Sequence, residues 1–439
     1  HHITIMLFLI QQISNNIYAT GSNAYGKLGV HQGIDLFGTF TKVPDFSKKN
    51  LHRIHQGDNH AFVVDTEGKL YGWGDNECGM LGLEQDLPEI NSPKVIPFFA
   101  KMKVKYADGG QTHSIVLTQD GKVYTMGSNE NGQLGRQSDK CPLPGLIDTK
   151  NLEKDETITS AHTKGLTNFI LTSQNNIYVW GSCMHGLCGP NVIADVLDVP
   201  TKMQITQKVK KMHVGSYSFY FESEDGVYGF GDNSEGQLCQ TKSDTVNVPV
   251  LIPTLKNVTD IQSTNLHTVF IMDDKAYACG SSDSGELGNS IDQKRVEKLT
   301  LISEGMGKVL DVATTHDGTF ILSETGLYST GKEQIGELSY NDPFKKLTKR
   351  VFTKINFVDI GAVDTIIAHN SFAFLYAAGK QDPPIGGGAI AGIVIAIIVG
   401  LVLVGFIAWF AFAKCKRGPR SRYAGIEEGN KLVFNDDQW

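Results

Sequence analysis

Cys183 and Cys188 flank His185 at a spacing that would suit a soft metal ion or a disulfide. Asp75-Asn76 and Asp232-Asn233 offer adjacent side-chain oxygens of the kind that hold a cation. Three histidines, His60, His113 and His267, are of the type that moves protons in catalysis. None of these sets makes a site by spacing alone. The cysteine pair lacks a second ligand pair, and His185 falls in a turn. The two Asx doublets occupy turns, where their oxygens accept from local backbone amides. The histidines recur at one position of a repeat, which favours a structural hydrogen bond over catalysis. No phosphate-cradling glycine loop, dinucleotide fingerprint or His-Glu-x-x-His is present, and no Gly-x-Ser-x-Gly elbow. The residues therefore predict a non-enzymatic binding scaffold without cofactor or metal.

The elements that would position these residues are repeated. Tyr-x-x-Gly ends a short strand at Tyr18–Gly21, Tyr71–Gly74, Tyr124–Gly127, Tyr178–Gly181, Tyr228–Gly231, Tyr277–Gly280, Tyr328–Gly331 and Tyr376–Gly379. In the first seven copies a second glycine follows five residues later, usually opening Gly-x-Leu-Gly, as in Gly26–Gly29 and Gly132–Gly135. Successive copies lie 48 to 54 residues apart, a period that marks a solenoid or a propeller. Within one copy, the run His113–Thr118, the tight-turn dipeptide Asp120-Gly121 and the run Val123–Met126 read as a β-hairpin. The residue before the repeat glycine is mostly large and apolar: Trp73, Met126, Trp180 and Phe230, with Cys279 and Thr330 as weaker versions. An all-β chain follows, with about four strands per repeat.

The paired glycines, the Gly-x-Leu-Gly segments, the period and the histidine strand starts resemble the regulator of chromosome condensation repeat. The resemblance implies a seven-bladed β-propeller over residues 20–380. It leaves function open, because the family includes an exchange factor for a small GTPase, ubiquitin ligases and a secreted inhibitor, which share a scaffold and not an activity. The strands of Tyr18–Gly21 and Tyr376–Gly379 claim the same place in a ring of seven, so one of them is expected to be redundant. That redundancy favours reading residues 1–19 as a signal peptide removed near Ala19 over reading them as a first strand.

Residues 385–413 carry no charge. The 25 residues 389–413 would make a helix of roughly 37 Å, longer than a hydrocarbon core of about 30 Å, and predict one transmembrane helix. Lys414, Lys416, Arg417, Arg420 and Arg422 follow at once, which places the tail, 414–439, in the cytoplasm and the propeller outside, at the plasma membrane. Gly388, Gly392, Ala396 and Gly400 recur on one helix face and would let two helices associate into a homodimer. Cys415 is a lipidation candidate, and Tyr423 with Ile426 fits an endocytic sorting pattern. Asn257-Val-Thr259 is a glycosylation sequon.

Without the tail the chain holds 34 basic and 43 acidic residues, a balance that argues against nucleic acid. Six of the seven cysteines precede the span. Cys188 and Cys279 stand where core apolar residues recur and are read as buried thiols, while Cys183 and Cys188 are near enough to pair. The leading function is an extracellular binding or adhesion head for a protein or surface ligand, gripped by the loops Val30–Lys42, Leu83–Pro97, Arg136–Thr149 and Pro190–Lys202. The rival is a membrane-tethered intracellular regulator of a small GTPase.

Overall fold

The computed structural model describes residues 16–377 apart from 31–35, 45, 47–50, 85, 241–243, 289, 291–292, 334–337, 340–346 and 357–362. These residues form seven four-stranded antiparallel sheets, the blades of a β-propeller. Helical structure among the described residues is limited to single 3-10 turns such as Glu77–Gly79. None of it is long and apolar enough to cross a membrane. The segment 385–413, read as a transmembrane helix, and the tail, 414–439, lie outside the described residues.

In six blades the strands follow chain order from the ring axis to the rim. The second strands His60–Asp65, His113–Thr118, Thr167–Thr172, His267–Met272 and Gly318–Ser323 are buried at every residue. Blades cover both of their faces, so both sets of alternating side chains must pack, and a clean apolar–polar alternation is absent from the sequence for that reason. The fourth strands face solvent at the rim, as in Thr245–Leu251. The loops Val30–Lys42, Leu83–Pro97, Arg136–Thr149 and Pro190–Lys202, expected to grip a partner, lie at the rim and run into or contain the strands Leu36–Val43, Glu89–Val95, Gly145–Leu146 and Val196–Lys202.

The chain ends do not compete. Asn16–Ser22 and Leu36–Val43 from the N-terminal side join Thr365–His369 and Phe372–Ala377 from the C-terminal side in one blade. Ile17 pairs with Tyr376, Ala19 with Phe374 and Gly21 with Phe372. Tyr376 thus lies in a second strand, and Tyr18 in the third strand beside it; the expected redundancy is corrected. Apolar second strands and Tyr-x-x-Gly third strands look alike over four residues, and only the missing Gly-x-Leu-Gly after Tyr376 separates them. A cut after Ala19 would remove four residues of the closing strand. Redundancy therefore gives no support to a leader ending there, and residues 1–15 lie outside the described residues.

Each repeat glycine is held at positive φ: 104° at Gly21, 105° at Gly74 and Gly127, 96° at Gly181, 114° at Gly231 and Gly331, and 111° at Gly280. A Cβ on Gly181 would sit 2.2 Å from the Leu166 carbonyl oxygen, and on Gly331 2.1 Å from that of Asp317. Only glycine fits such an approach. The register between third and rim strands shifts at each of these glycines but Gly127, marking a bulge. The following residue then turns its N–H back onto the loop that precedes the second strand. Ser22, Asp75, Ser128, Ser182, Asp232, Ser281 and Lys332 donate to the carbonyls of Ser371, Asn59, Thr112, Leu166, Tyr217, Leu266 and Asp317 at 2.8–3.0 Å.

The second glycine pair serves the junction between blades. Trp73 Nε1 donates to the Lys27 carbonyl at 2.9 Å, and Trp180 Nε1 to that of Gln133 at 3.0 Å. A Cβ on Gly29 or Gly135 would fall 2.9 or 2.6 Å from the indole nitrogen. Leu28, Leu81, Leu134, Leu238, Leu287 and Leu338 are fully buried in the same junctions. One junction is covalent: Cys279, in the plug position before the repeat glycine that Trp73 and Trp180 fill in their repeats, is bonded to Cys239, at the last glycine position of the preceding repeat. Cys78 and Cys141 join two further blades, and Cys183 pairs with Cys188 inside one turn. The reading of Cys188 and Cys279 as free buried thiols is therefore corrected. Both are buried, and each is bonded to a half-buried partner, Cys183 or Cys239.

The recurrent histidines also lock blade to blade. His60 Nε2 lies 2.8 Å from Ser114 Oγ, whose hydroxyl is committed to the Met80 carbonyl, so the imidazole donates. His113 Nε2 donates to Asn168 Oδ1 at 2.8 Å, and His267 Nε2 lies 2.9 Å from Thr319 Oγ1. Among the described residues the Nδ1 atoms of His60 and His113 meet no hydrogen-bond partner, so a second proton there would be buried without an acceptor. Burial accordingly lowers the three imidazoles to about 3, 4 and 3.

Two outcomes are expected. Gly181→Ala should cost at least about 2 kcal/mol in urea unfolding, through strain and clash. Gly121→Ala, where a Cβ meets only the Ile158 carbonyl at 3.6 Å, should cost about 1 kcal/mol; equal losses would refute the close-approach argument. The second concerns pH. The unfolded chain takes up protons at the three histidines below about pH 6.5, and the folded chain does not. The stability they confer is complete above that value and drains away as pH falls towards 3, by about 1.4 kcal/mol per pH unit for each proton of difference. Asp108, pushed up to about 6 by burial, works in the opposite sense and offsets one of the three. The thermal midpoint should fall between pH 6.5 and 4. His267→Asn should start lower at pH 7 and fall less steeply; parallel slopes would exclude the imidazole.

Candidate binding site

The seven loops between first and second strands converge at one mouth of the central channel. They present Asp58-Asn59, Gln111-Thr112, Gly165-Leu166, Ser216-Tyr217, Asn265-Leu266, His316-Asp317 and Asn370-Ser371. The second residue of each pair gives the carbonyl that the repeat-glycine turn holds. Neighbouring loops are tied side to side as well: Asp58 N–H donates to the Gly110 carbonyl at 3.2 Å, Gln111 N–H to Gly165 at 2.7 Å, and His316 N–H to Asn370 at 3.1 Å. The cavity they enclose measures about 570 Å³, with residues of every blade in its wall. Rigid strands carrying a loop-built mouth are the usual arrangement of a binding face.

The charges of the mouth are mostly spoken for. Asp58 Oδ1 accepts from His369 Nε2 at 2.7 Å, and Asp317 Oδ1 lies 2.9 Å from His316 Nδ1. Burial raises the Asp58 carboxyl, but the His369 bond and the charges of His369 and Lys164 outweigh it and leave it below its ordinary value. Burial lowers His369 despite that acid. Lys164 lines this cavity and also the second one, of about 490 Å³, which fills the body of the channel. On the opposite rim, the His185 and Tyr217 rings stack 4.1 Å apart at 17°, with Met184 exposed beside them.

The channel body is lined by the seven first strands. Tyr106 hydroxyl lies 2.8 Å from His162 Nδ1 and 3.2 Å from Asp108 Oδ2, and its ring packs edge-on against His55 at 4.1 Å. Burial pushes Asp108 up against the pull of Lys164 and of the Thr163, Gly109 and Tyr106 donors. His213 Nε2 donates to Glu222 Oε1 at 2.9 Å. Lys27 is buried behind the mouth, donating to Asn59 Oδ1 at 3.1 Å and Ser371 Oγ at 2.9 Å; burial lowers it to about 8.

The residues singled out by chemistry are used elsewhere. Cys183 is bonded to Cys188, and His185 serves the aromatic stack. Asp75 Oδ1 accepts from Glu77 N–H at 2.8 Å, and Asn76 Oδ1 from Leu81 N–H at 3.0 Å. Asp232 and Asn233 repeat this with Ser234 and Leu238. Among the described residues no group of three or more His, Cys, Asp or Glu is arranged to hold a metal ion. Asn257 lies exposed in a turn at φ 51°, its amide donating to Asp273 Oδ1 at 3.0 Å. Gly388, Gly392, Ala396, Gly400, Cys415, Tyr423 and Ile426 lie outside the described residues. Sequence reading missed the mouth itself. Its residues differ in type from blade to blade, and the usable signal was their position, just before each second strand.

The repeat is matched in relatives. The family model for the regulator of chromosome condensation (RCC1) repeat fits residues 67–117, 120–161 and 224–271, and a second model of it fits 54–79 and 105–133. The E3 ubiquitin-protein ligase HERC2 of Mus musculus is 28% identical over 327 residues, 72% of this chain and 7% of the ligase. The ultraviolet-B receptor UVR8 of Arabidopsis thaliana is 27% identical over 309 residues, 66% of this chain and 67% of the receptor. This chain thus spans a small fraction of the ligase and about two thirds of the receptor. Among solved structures, Prp20p of Saccharomyces cerevisiae superposes with a TM-score of 0.74 at 19% identity, over 84% of this chain and 93% of that one. Human WBSCR16 gives 0.69 at 16%, over 83% and 99%. The chain thus carries regulator of chromosome condensation repeats where the models match, within 54–161 and 224–271, on a fold similar to that of Prp20p and WBSCR16.

Proposed function

We propose that this chain is a single-pass membrane protein whose propeller stands outside the cytoplasm and binds its ligand at the channel mouth. The observation that carries the reading is the state of the cysteines. All six in the propeller are paired, Cys78 with Cys141, Cys183 with Cys188 and Cys239 with Cys279. Such pairs persist in oxidising compartments and are rare in the cytosol. The uncharged run 385–413 and the basic residues from Lys414 onward support the same orientation. The exposed sequon at Asn257 fits it. In this reading Gly388, Gly392, Ala396 and Gly400 form a face for self-association, Cys415 takes a lipid, and Tyr423 and Ile426 direct internalisation from the plasma membrane.

A second reading, a membrane-tethered cytoplasmic regulator of a small GTPase, draws on the likeness to Prp20p, whose structure was reported with its binding to Gsp1p and histones. At 19% identity that likeness concerns the fold. Epitope tags after Gly379 and at Trp439, with protease added to intact cells, separate the two. Loss of the first tag and survival of the second is the expected result, together with unreduced peptide maps showing the three pairs. Survival of the first tag, with accelerated nucleotide release from a small GTPase, would put the second reading in its place.

A further inference from the structure

The mouth carries hydrogen-bonding groups that the fold leaves unused. Among the described residues, the carboxamides of Gln111 and Asn370 and the hydroxyls of Ser216 and Tyr217 bond to no other protein group, and all four line the cavity. They come from the loops of three different blades, so the arrangement faces inward from several sides. The charged groups are placed otherwise. The Asp58 and Asp317 side chains are 23% and 12% exposed and already hydrogen-bonded to imidazoles. Lys164 sits where the two cavities meet, and its charge acts on the carboxyls of Asp58 and Asp108. An anion reaching that ammonium would also meet those acids.

A peptide strand is poorly served as well. Peptide recognition by strand addition needs free backbone N–H and C=O groups. Here one carbonyl in each loop is held by the repeat-glycine bond, and the N–H groups of Asp58, Gln111 and His316 are held by neighbouring loops, which leaves no continuous row for a strand. What remains is neutral side-chain chemistry: groups that both donate and accept, beside an aromatic stack with one exposed ring, Tyr217, and the exposed thioether of Met184.

From this juxtaposition we propose that the channel mouth binds a neutral saccharide. A sugar ring has an apolar C–H face, which would lie against the Tyr217 side, and hydroxyl edges, which would be met by Gln111, Ser216 and Asn370. The cavity, about 570 Å³, falls within the range of about 300–1,000 Å³ common for small-ligand sites. The inference rests on the mouth being the ligand seat of the proposed head.

The test is an array of neutral, sialylated and sulfated oligosaccharides, probed with the full chain purified without sugar-based detergents or sucrose. The best neutral glycan is then titrated by calorimetry. Binding to neutral glycans is expected, weakened about tenfold or more by Tyr217→Ala and by Gln111→Ala, the latter at an exposed loop position. Ile193→Ala, fully exposed outside the mouth, should bind as the parent does. No signal, signal confined to charged glycans, or neutral binding that neither mouth variant weakens would overturn the proposal. Tag protection reports the side of the membrane whatever the array shows, so the two readings fail separately.

Discussion

The bond from the residue after each repeat glycine to the loop before the second strand is the constraint on which the rest depends. It needs φ near 100°, with a carbonyl where a Cβ would stand, and so it needs glycine. In one short segment it ends the third strand, goes with an offset in the register of the rim strand in every blade but that of Gly127, and ties down a loop of the mouth. Seven copies of the bond hold seven loops in a ring. Fold and candidate site are therefore set by the same residue.

Junctions between blades solve a second problem with variable means. One place behind the Gly-x-Leu-Gly segment is filled by an indole bonded to a carbonyl, by Met126, or by a disulfide. The first two gain from burying a large side chain against a glycine that leaves room for it. The disulfide does so by restricting the unfolded chain. The histidine locks add a buried imidazole with one nitrogen satisfied, a geometry that holds only while the ring is neutral. Because each blade covers its neighbours, closure of the ring by strands from both ends completes the burial of the first and last blades together.

The mouth differs from the scaffold in what it asks of sequence. Asp58, Gln111, Gly165, Ser216, Asn265, His316 and Asn370 hold equivalent places with six different side-chain types. The repeat-glycine bond falls on the peptide carbonyl of the next residue and asks nothing of these side chains. Variation there costs the fold little, which is why a ligand-specific surface can sit on a repeated frame.

Sequence alone determined the elements that repeat: the period, the strand-ending glycines, the buried leucines, the plug position and the structural role of His60, His113 and His267. These are legible because each is a local need, for positive φ, for room, or for an apolar side chain, met the same way in blade after blade. Tertiary structure decided what depends on two distant segments meeting. It made Tyr18 and Tyr376 neighbours in one sheet where local pattern made them rivals. It paired Cys279, whose own context read as a buried thiol, with Cys239 of the preceding repeat. It placed rim strands within the expected gripping loops, and it gathered Lys164, Tyr217 and His369 around one cavity. Spacing along the chain carries no record of such encounters, because ring closure, and no local preference, brings those residues together.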